Sequence, residues 1–342
     1  MNNQKAVVMV AGCLLNACLS TVKANPGEGD RTGQTSIHVN VAVQDTSAPR
    51  LYLADFLSYL TIRICSQMDQ GFSTGTGFFF DFLINDGSGR SIPALITNKH
   101  VVDGCTETKL QFTVAKNGLP SSETVEFCFN PTINSWFSHP DASVDLCALP
   151  ILPIINHFKD QGIELFIMSL NRSHIAKPDF LKNVTQLDDV VMIGYPDGIW
   201  DSVNNQPIFR KGVFATKPNV NYNGKREFII DMPVYGGSSG SPVLIASDSP
   251  RFDRSRGNAL VVANAPMVVL VGVVYATFLH GEFGRLEAVP IPTLSSQTGI
   301  FTHISLPNNL GLVISASRLL EMEDMFTEML VRANKDTEQK EN

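Results

Sequence analysis

His100, Asp145 and Ser239 are the residues of this chain whose types and settings could do chemistry together. His100 ends the stretch Leu95-Ile96-Thr97-Asn98-Lys99-His100, at the end of a strand-like run. A histidine there is held on one side and open on the other, as a general base requires. Asp145 opens the apolar run Leu146-Cys147-Ala148-Leu149. A carboxylate beside a core segment is costly to desolvate unless a group pairs with it, and an imidazolium is a suitable partner. Ser239 lies in Tyr235-Gly236-Gly237-Ser238-Ser239-Gly240-Ser241. Glycines let backbone N–H groups converge on one point, which is how an anion hole for a tetrahedral intermediate is built. A base, a carboxylate, a nucleophile and an anion hole are the parts of an acyl transfer. Asp141, in His139-Pro140-Asp141, reads instead as an exposed turn residue.

The elements that must position these residues read as short strands. Thr61 to Cys65 alternates as a half-buried strand does, and Gly75-Thr76-Gly77 runs into the aromatic strand Phe78-Phe79-Phe80. Strands follow at 94–97, 110–114, 125–129 and 145–149, at hairpin spacing. Residues 151–185 show no clean period and read as a connector. A second strand series runs through 190–195, 212–215, 228–231, 242–245 and 268–275. Leu319, Met322, Phe326, Met329 and Leu330 recur at three- and four-residue steps, the stripe of a C-terminal helix expected to pack on the second strand series. Ser315 or Ser317 could cap its start.

Composition narrows the classes. Of 342 residues, 44% are hydrophobic and 17% charged, which is globular. With 26 basic against 33 acidic residues the net charge is −7, so nucleic acid is disfavoured as a partner. Six cysteines are too sparse for a disulfide-built scaffold. No CxxC pair or His/Cys cluster has zinc-ligand spacing, so no metal or other cofactor is expected. Cys65, Cys128 and Cys147 sit in apolar strand-like text and read as small buried hydrophobes. His38, His139, His157, His174, His280 and His303 read as solvated or core-satisfied, and Trp200 as a packing residue.

The order His100, Asp145, Ser239 is that of the chymotrypsin-type triad, with intervals of 45 and 94 residues. With it, GTGFFF (75–80), LITNKHVV (95–102), VDLCALPI (144–151), VVMIGYPDG (190–198) and GGSSGSPVL (236–244) make the chain resemble the trypsin-like serine peptidases of bacterial type. The resemblance implies an all-β fold of two six-stranded antiparallel β-barrels, with the site in the cleft between them, followed by the C-terminal helix. It implies a serine endopeptidase with Ser239 as nucleophile, His100 as general base and Asp145 fixing the imidazole. It places the oxyanion hole at the N–H groups of Gly237 and Ser239. Val274, Tyr275, Ala276 and Thr277, after Val273, would pair with an extended protein or peptide substrate as an added strand.

Three positions depart from that family's pattern. Ser238 stands where an Asp would receive a new N-terminal amine, so that route of zymogen activation is not expected. Pro233, six residues before Ser239, gives no support for Arg or Lys at the cleavage site. Cys105 follows His100 by five residues rather than one, and a disulfide to Cys65 or Cys128 stays open.

Other readings compete. Gly236-Gly237-Ser238-Ser239-Gly240 also fits the GxSxG elbow of α/β-hydrolases with Ser238 as nucleophile, followed by Asp253 and His280 or His303. That elbow must lead into a helix, whereas 242–245 reads as a strand and no βαβ alternation precedes it. A catalytically weak fold acting as a protein-binding module is the second alternative.

The expected domains are a possible signal peptide at 1–24, a linker at 25–50, the first barrel at 51–155, a connector at 156–185, the second barrel at 186–312 and the helix with its tail at 313–342. Lys5 precedes seventeen uncharged residues, and small residues near Ala24 complete the pattern of a secretory signal. The segments around Cys13 and Cys18 loosely resemble lipoprotein cleavage boxes. Export to the periplasm or beyond is the expectation, with membrane attachment only on lipidation. A cytoplasmic chain with a frayed N-terminus is the alternative.

Overall fold

The structure, a computed structural model, describes residues 52–341 apart from 70, 85, 86, 88, 132–134, 248–250, 254–258, 262–265 and 287–299. The readings of residues 1–24 and 25–50, with Cys13, Cys18 and His38, lie outside the described residues. So do the side chains of Asp253, His280 and His303.

The first lobe comprises α1 (Leu53–Ser58), β1 (Thr61–Gln67), β2 (Phe72–Leu83), β3 (Ser91–Thr97), α2 (Lys99–Val102), β4 (Glu107–Lys116), β5 (Leu119–Phe129), β6 (Phe137–Ser138), β7 (Cys147–Pro150), α3 (Leu152–Asp160) and β8 (Leu170–Asn171). The second comprises α4 (Pro178–Lys182), β9 (Asp189–Gly194), β10 (Ile208–Phe214), β11 (Glu227–Asp231), β12 (Pro242–Ser247), β13 (Arg251–Asp253), β14 (Ala259–Val261), β15 (Met267–Leu286) and β16 (Ile300–Ser315), before α5 (Leu319–Glu341). The order β10-β11-β16-β15-β12-β9 closes into a barrel.

The expectation of two closed barrels is corrected at the first lobe. Its sheet has the order β5-β4-β1-β2-β3-β7-β6, with β8 beside β2, and it does not close. β6 is only two residues long, too short to reach back to β5. Helix α3 fills the open side. Ile151, Ile154 and Phe158 follow helical spacing inside the segment read as a period-free connector, and Pro153 stands at the helix start, where its missing N–H costs nothing. These residues join Leu110 and Phe112 in one core. The rings of Phe112 and Phe158 lie 6.2 Å apart.

Period-two alternation sends β2 into two cores at once. Phe79 packs inside the first lobe with Ile64 and Leu95. Phe78, Phe80 and Phe82 point to the other face, where they meet Leu244, Leu270 and Val273 of the second barrel. This shared core joins the lobes.

Helix α5 packs beyond the second barrel on which it was expected to lie. Its stripe of Leu319, Met322, Phe326 and Leu330 enters the shared core, and Phe326 meets Phe82 at 5.1 Å and Phe137 at 5.4 Å, both from the first lobe. The helix therefore carries the chain end back onto the N-terminal sheet. Buried Glu323 accepts the Leu83 N–H at 3.0 Å and pairs with Arg172 at 3.1 Å. Neither serine caps the helix start: Ser315 Oγ and Ser317 Oγ hydrogen-bond each other at 3.0 Å.

Arg318, just before α5, ties the helix to the loop that carries Asp145. Its guanidinium donates to Asp141 Oδ2 at 2.5 Å and Glu321 Oε1 at 3.3 Å, while its carbonyl accepts from buried His139 at 3.1 Å. Asp141 is exposed, as expected, but not idle: the Ser143 hydroxyl and N–H also donate to it, and with Arg318 they hold its carboxyl well below the usual range. Among the described residues, the cysteines are free. Cys147 is buried as expected, Cys65 and Cys105 are half-buried, and Cys128 is exposed because it sits on the outer face of β5, correcting its reading as a core residue.

Two outcomes follow. Arg318→Met should lower Tm, since it removes the buried guanidinium that holds Asp141 and Glu321 together; an unchanged Tm in a thermal scan contradicts the clamp. Burial pushes the Asp81 carboxyl up to about 6, against a hydrogen bond from Ser169 that lowers it. A raised acid stabilises the fold below the unfolded-state value near 3.8 and loses that contribution as pH rises through about 6. Asp81→Asn should therefore gain about 2–3 kcal/mol relative to wild type between pH 4 and pH 8. Paired denaturant melts at the two pH values check this, and an equal difference at both contradicts it.

Candidate active site

The three predicted side chains meet at the seam of the two lobes. Asn98 and His100 follow β3, with His100 inside the single turn of α2. Asp145 precedes β7, the neighbour of β3 in the sheet. The Asn98 amide donates to the Asp145 carbonyl at 2.6 Å, which locks the two segments side by side. His100 Nδ1 lies 2.5 Å from Asp145 Oδ2, and the His100 N–H donates to Oδ1 at 3.2 Å. Burial raises the Asp145 carboxyl, but the hydrogen bond and charge of His100, with backbone donors from His100 and Lys99, outweigh it and leave the group below its usual value. An ionised carboxylate only accepts, so the proton of a neutral His100 sits on Nδ1. Nε2 is then an acceptor, and the Ser239 hydroxyl lies 2.9 Å from it.

The glycine loop is held by its backbone. Gly237 has φ +80°, and a Cβ there would lie 2.3 Å from the Tyr195 carbonyl oxygen. Gly240 has φ +87°, and a Cβ would lie 1.9 Å from the Thr76 carbonyl oxygen. Both positions demand glycine on conformation and on space. The Asp197 N–H donates to Gly236 O at 2.6 Å and the Ser238 N–H to Tyr235 O at 3.1 Å. Among the described residues, the N–H groups of Gly237 and Ser239 have no backbone acceptor. They belong to the loop that presents the Ser239 hydroxyl.

Residues 75–249, just over half of the chain, match the family of trypsin-like peptidase domains. The chain belongs to that family. Among solved structures, the HtrA-type protease AlgW with a tripeptide is similar at 15% identity and a TM-score of 0.41, covering 79% of this chain. This chain spans 61% of the AlgW chain. The serine endoprotease from Yersinia pestis is similar at 12% identity and 0.41, over 82% of this chain and 68% of its own. The scabies mite inactivated protease paralogue S-I1 is similar at 10% identity and 0.37, over 78% and 94%. No curated protein sequence matches.

Of the residues expected to line a substrate groove, Val274 is committed elsewhere. Its carbonyl accepts the Gly240 N–H at 2.8 Å and its N–H donates to Ser241 O at 3.0 Å, so it anchors the glycine loop that carries Ser239. Tyr275, Ala276 and Thr277 continue β15 past that anchor. The Tyr275 hydroxyl donates to Glu227 at 2.9 Å, and burial with that carboxylate pushes its ionisation up. The Thr277 hydroxyl donates to Leu310 O at 2.9 Å.

Thr76 is the functional residue that sequence reasoning missed. It is fully buried on β2. Its hydroxyl donates to Gly237 O at 2.9 Å and accepts the Tyr195 N–H at 3.1 Å. Its N–H donates to Ser239 O at 2.9 Å, and its carbonyl accepts the Thr97 hydroxyl at 2.8 Å. One residue of the first lobe thus bridges the His100 segment and the glycine loop that carries Ser239. The motif Gly75-Thr76-Gly77 was visible in the sequence, but partners 161 residues away were not.

Thr76→Val keeps the shape and removes the hydroxyl, leaving Gly237 O and the Tyr195 N–H unpaired. It should slow labelling of Ser239 by a fluorophosphonate about a hundredfold, within the range measured for oxyanion-hole losses. Thr76→Ser should recover most of the rate. Wild-type labelling by Thr76→Val contradicts the bridging role.

Proposed function

We propose that this chain is a serine endopeptidase that cleaves protein or peptide substrates through an acyl-enzyme on Ser239. The observation that carries the reading is the relay Asp145–His100–Ser239, with separations of 2.5 and 2.9 Å across two lobes. Hydrogen-bonded to Nε2, the Ser239 oxygen attacks the scissile carbonyl as His100 takes its proton. Asp145 stabilises the imidazolium so formed. The Gly237 and Ser239 N–H groups receive the oxyanion, which collapses as His100 protonates the leaving amine. Water, activated by the same imidazole, releases the acyl group.

The substrate adds as a strand at Tyr275 to Thr277, because β12 parts from β15 at the Pro242–Val273 pair and leaves that edge without a strand partner among the described residues. The binding-module reading is less well supported, since a fold kept only for binding has no need of an aligned base and hydroxyl. The pattern of residues 1–24 supports export, and the mass of the mature N-terminus tests it.

Ser239→Ala and His100→Ala should each lower kcat by about 10⁴-fold or more on a cleaved casein peptide, and fluorophosphonate labelling should vanish in Ser239→Ala. Turnover and labelling at wild-type rates in both variants contradict the assignment.

A further inference from the structure

The barrel does not account for the length of β15. It pairs with β12 only from Met267 to Val273, yet it continues to Leu286. Among the described residues, it runs from Leu279 to Leu286 with β16 alone, in unbroken register from Leu279↔Pro307 to Leu286↔Ile300. Past the barrel, β15 and β16 therefore form a two-stranded arm. Such a ribbon is marginal by itself in water, and an unpaired edge is a template for another strand.

That edge of β15 is continuous with the proposed substrate edge. Val274 uses its backbone groups to anchor Gly240 and Ser241, so among the described residues the open edge begins at Tyr275 and extends to Leu286. At the rise of a β-strand this is about 40 Å. Two register shifts, at Val274/Ala276 and Thr277/Leu279, add twist where β15 leaves the barrel and end before the arm.

We propose that the arm is a docking rail for the segment of an extended polypeptide substrate that precedes the scissile bond. This deepens the peptidase reading and rests on it. Antiparallel pairing is the more stable addition. A peptide paired that way at Tyr275 to Thr277, with its reactive carbonyl at Ser239, runs along the arm toward its own N-terminus. The substrate class is thus an unfolded or loosely structured chain with eight or more free residues before the cleaved bond. Main-chain hydrogen bonds supply the affinity, so the rail demands extended backbone rather than one side-chain sequence.

The test uses fluorescein-labelled peptides built on one casein-derived tetrapeptide. They are lengthened with Thr and Ser to six, eight and ten residues on the N-terminal side or, as control, on the C-terminal side. Binding to the full chain carrying Ser239→Ala is read by anisotropy, and kcat/KM is read on wild type. Affinity should rise about tenfold from four to ten residues for N-terminal extension only, with the gain in kcat/KM carried by KM. N-methylation of alternate amides in the extension should abolish the gain, a readout that needs no change to the protein. Replacing residues 280–306 by an Asn-Gly turn should flatten the series and leave the tetrapeptide unaffected.

Affinity and kcat/KM that do not depend on N-terminal length overturn the rail. So does an arm-dependent dimer in sedimentation with no length dependence, which assigns the edge to a second copy of the chain. Length-dependent binding without any cleavage by wild type defeats the peptidase reading and with it the rail as a substrate site, whereas cleavage without length dependence overturns the rail alone, so the two failures are distinguishable.

Discussion

The hydrogen bond between His100 and Ser239 spans two lobes, and its geometry can be no better than the seam beneath it. The two residues are 139 positions apart and are carried by different lobes. Thr76 supplies the local constraint. Its N–H, carbonyl and hydroxyl all act across the seam or toward the histidine segment, in a site with no access to water. Because buried polar groups are costly to leave unpaired, the loop has one low-energy position rather than several. The positive-φ glycines make that position attainable, and the Val274 backbone fixes its far side.

Packing serves the same seam at longer range. The alternating phenylalanines of β2 put one face into the first lobe and the other into the core shared with the second barrel. Helix α5 closes that shared core from outside, and Arg318 at its start holds Asp141, four residues before Asp145. The C-terminus thus supports the loop that orients the imidazole, although it touches none of the reacting atoms.

The candidate site residues were legible because the signals they carry are local. His100 beside a strand, Asp145 at the mouth of an apolar run and Ser239 among glycines each carry a signal within a few residues, and their order along the chain combined them. The apolar stripe of α5 was legible for the same reason. What it packs against was not, because a period of 3.6 reveals a face and not its partner. The open first lobe was hidden by β6, whose two residues leave no pattern, and by α3, whose Ile151, Ile154 and Phe158 were masked by Pro153 and Asn156. Cys128 lies in apolar text, yet the alternation of β5 turns it outward. Thr76 and Val274 act through hydrogen bonds to distant backbone, which no local spacing encodes.

The central claim is that the Asp145 carboxylate holds the His100 proton on Nδ1 and leaves Nε2 free to accept from Ser239. Nitrogen-15 NMR of the imidazole reads this directly. In the neutral form, Nδ1 should show the shift of a protonated nitrogen with a far-downfield attached proton, and Nε2 that of an acceptor. Asp145→Ala should abolish the downfield proton. An imidazole protonated on Nε2, or one averaging freely between tautomers in wild type, would contradict the account.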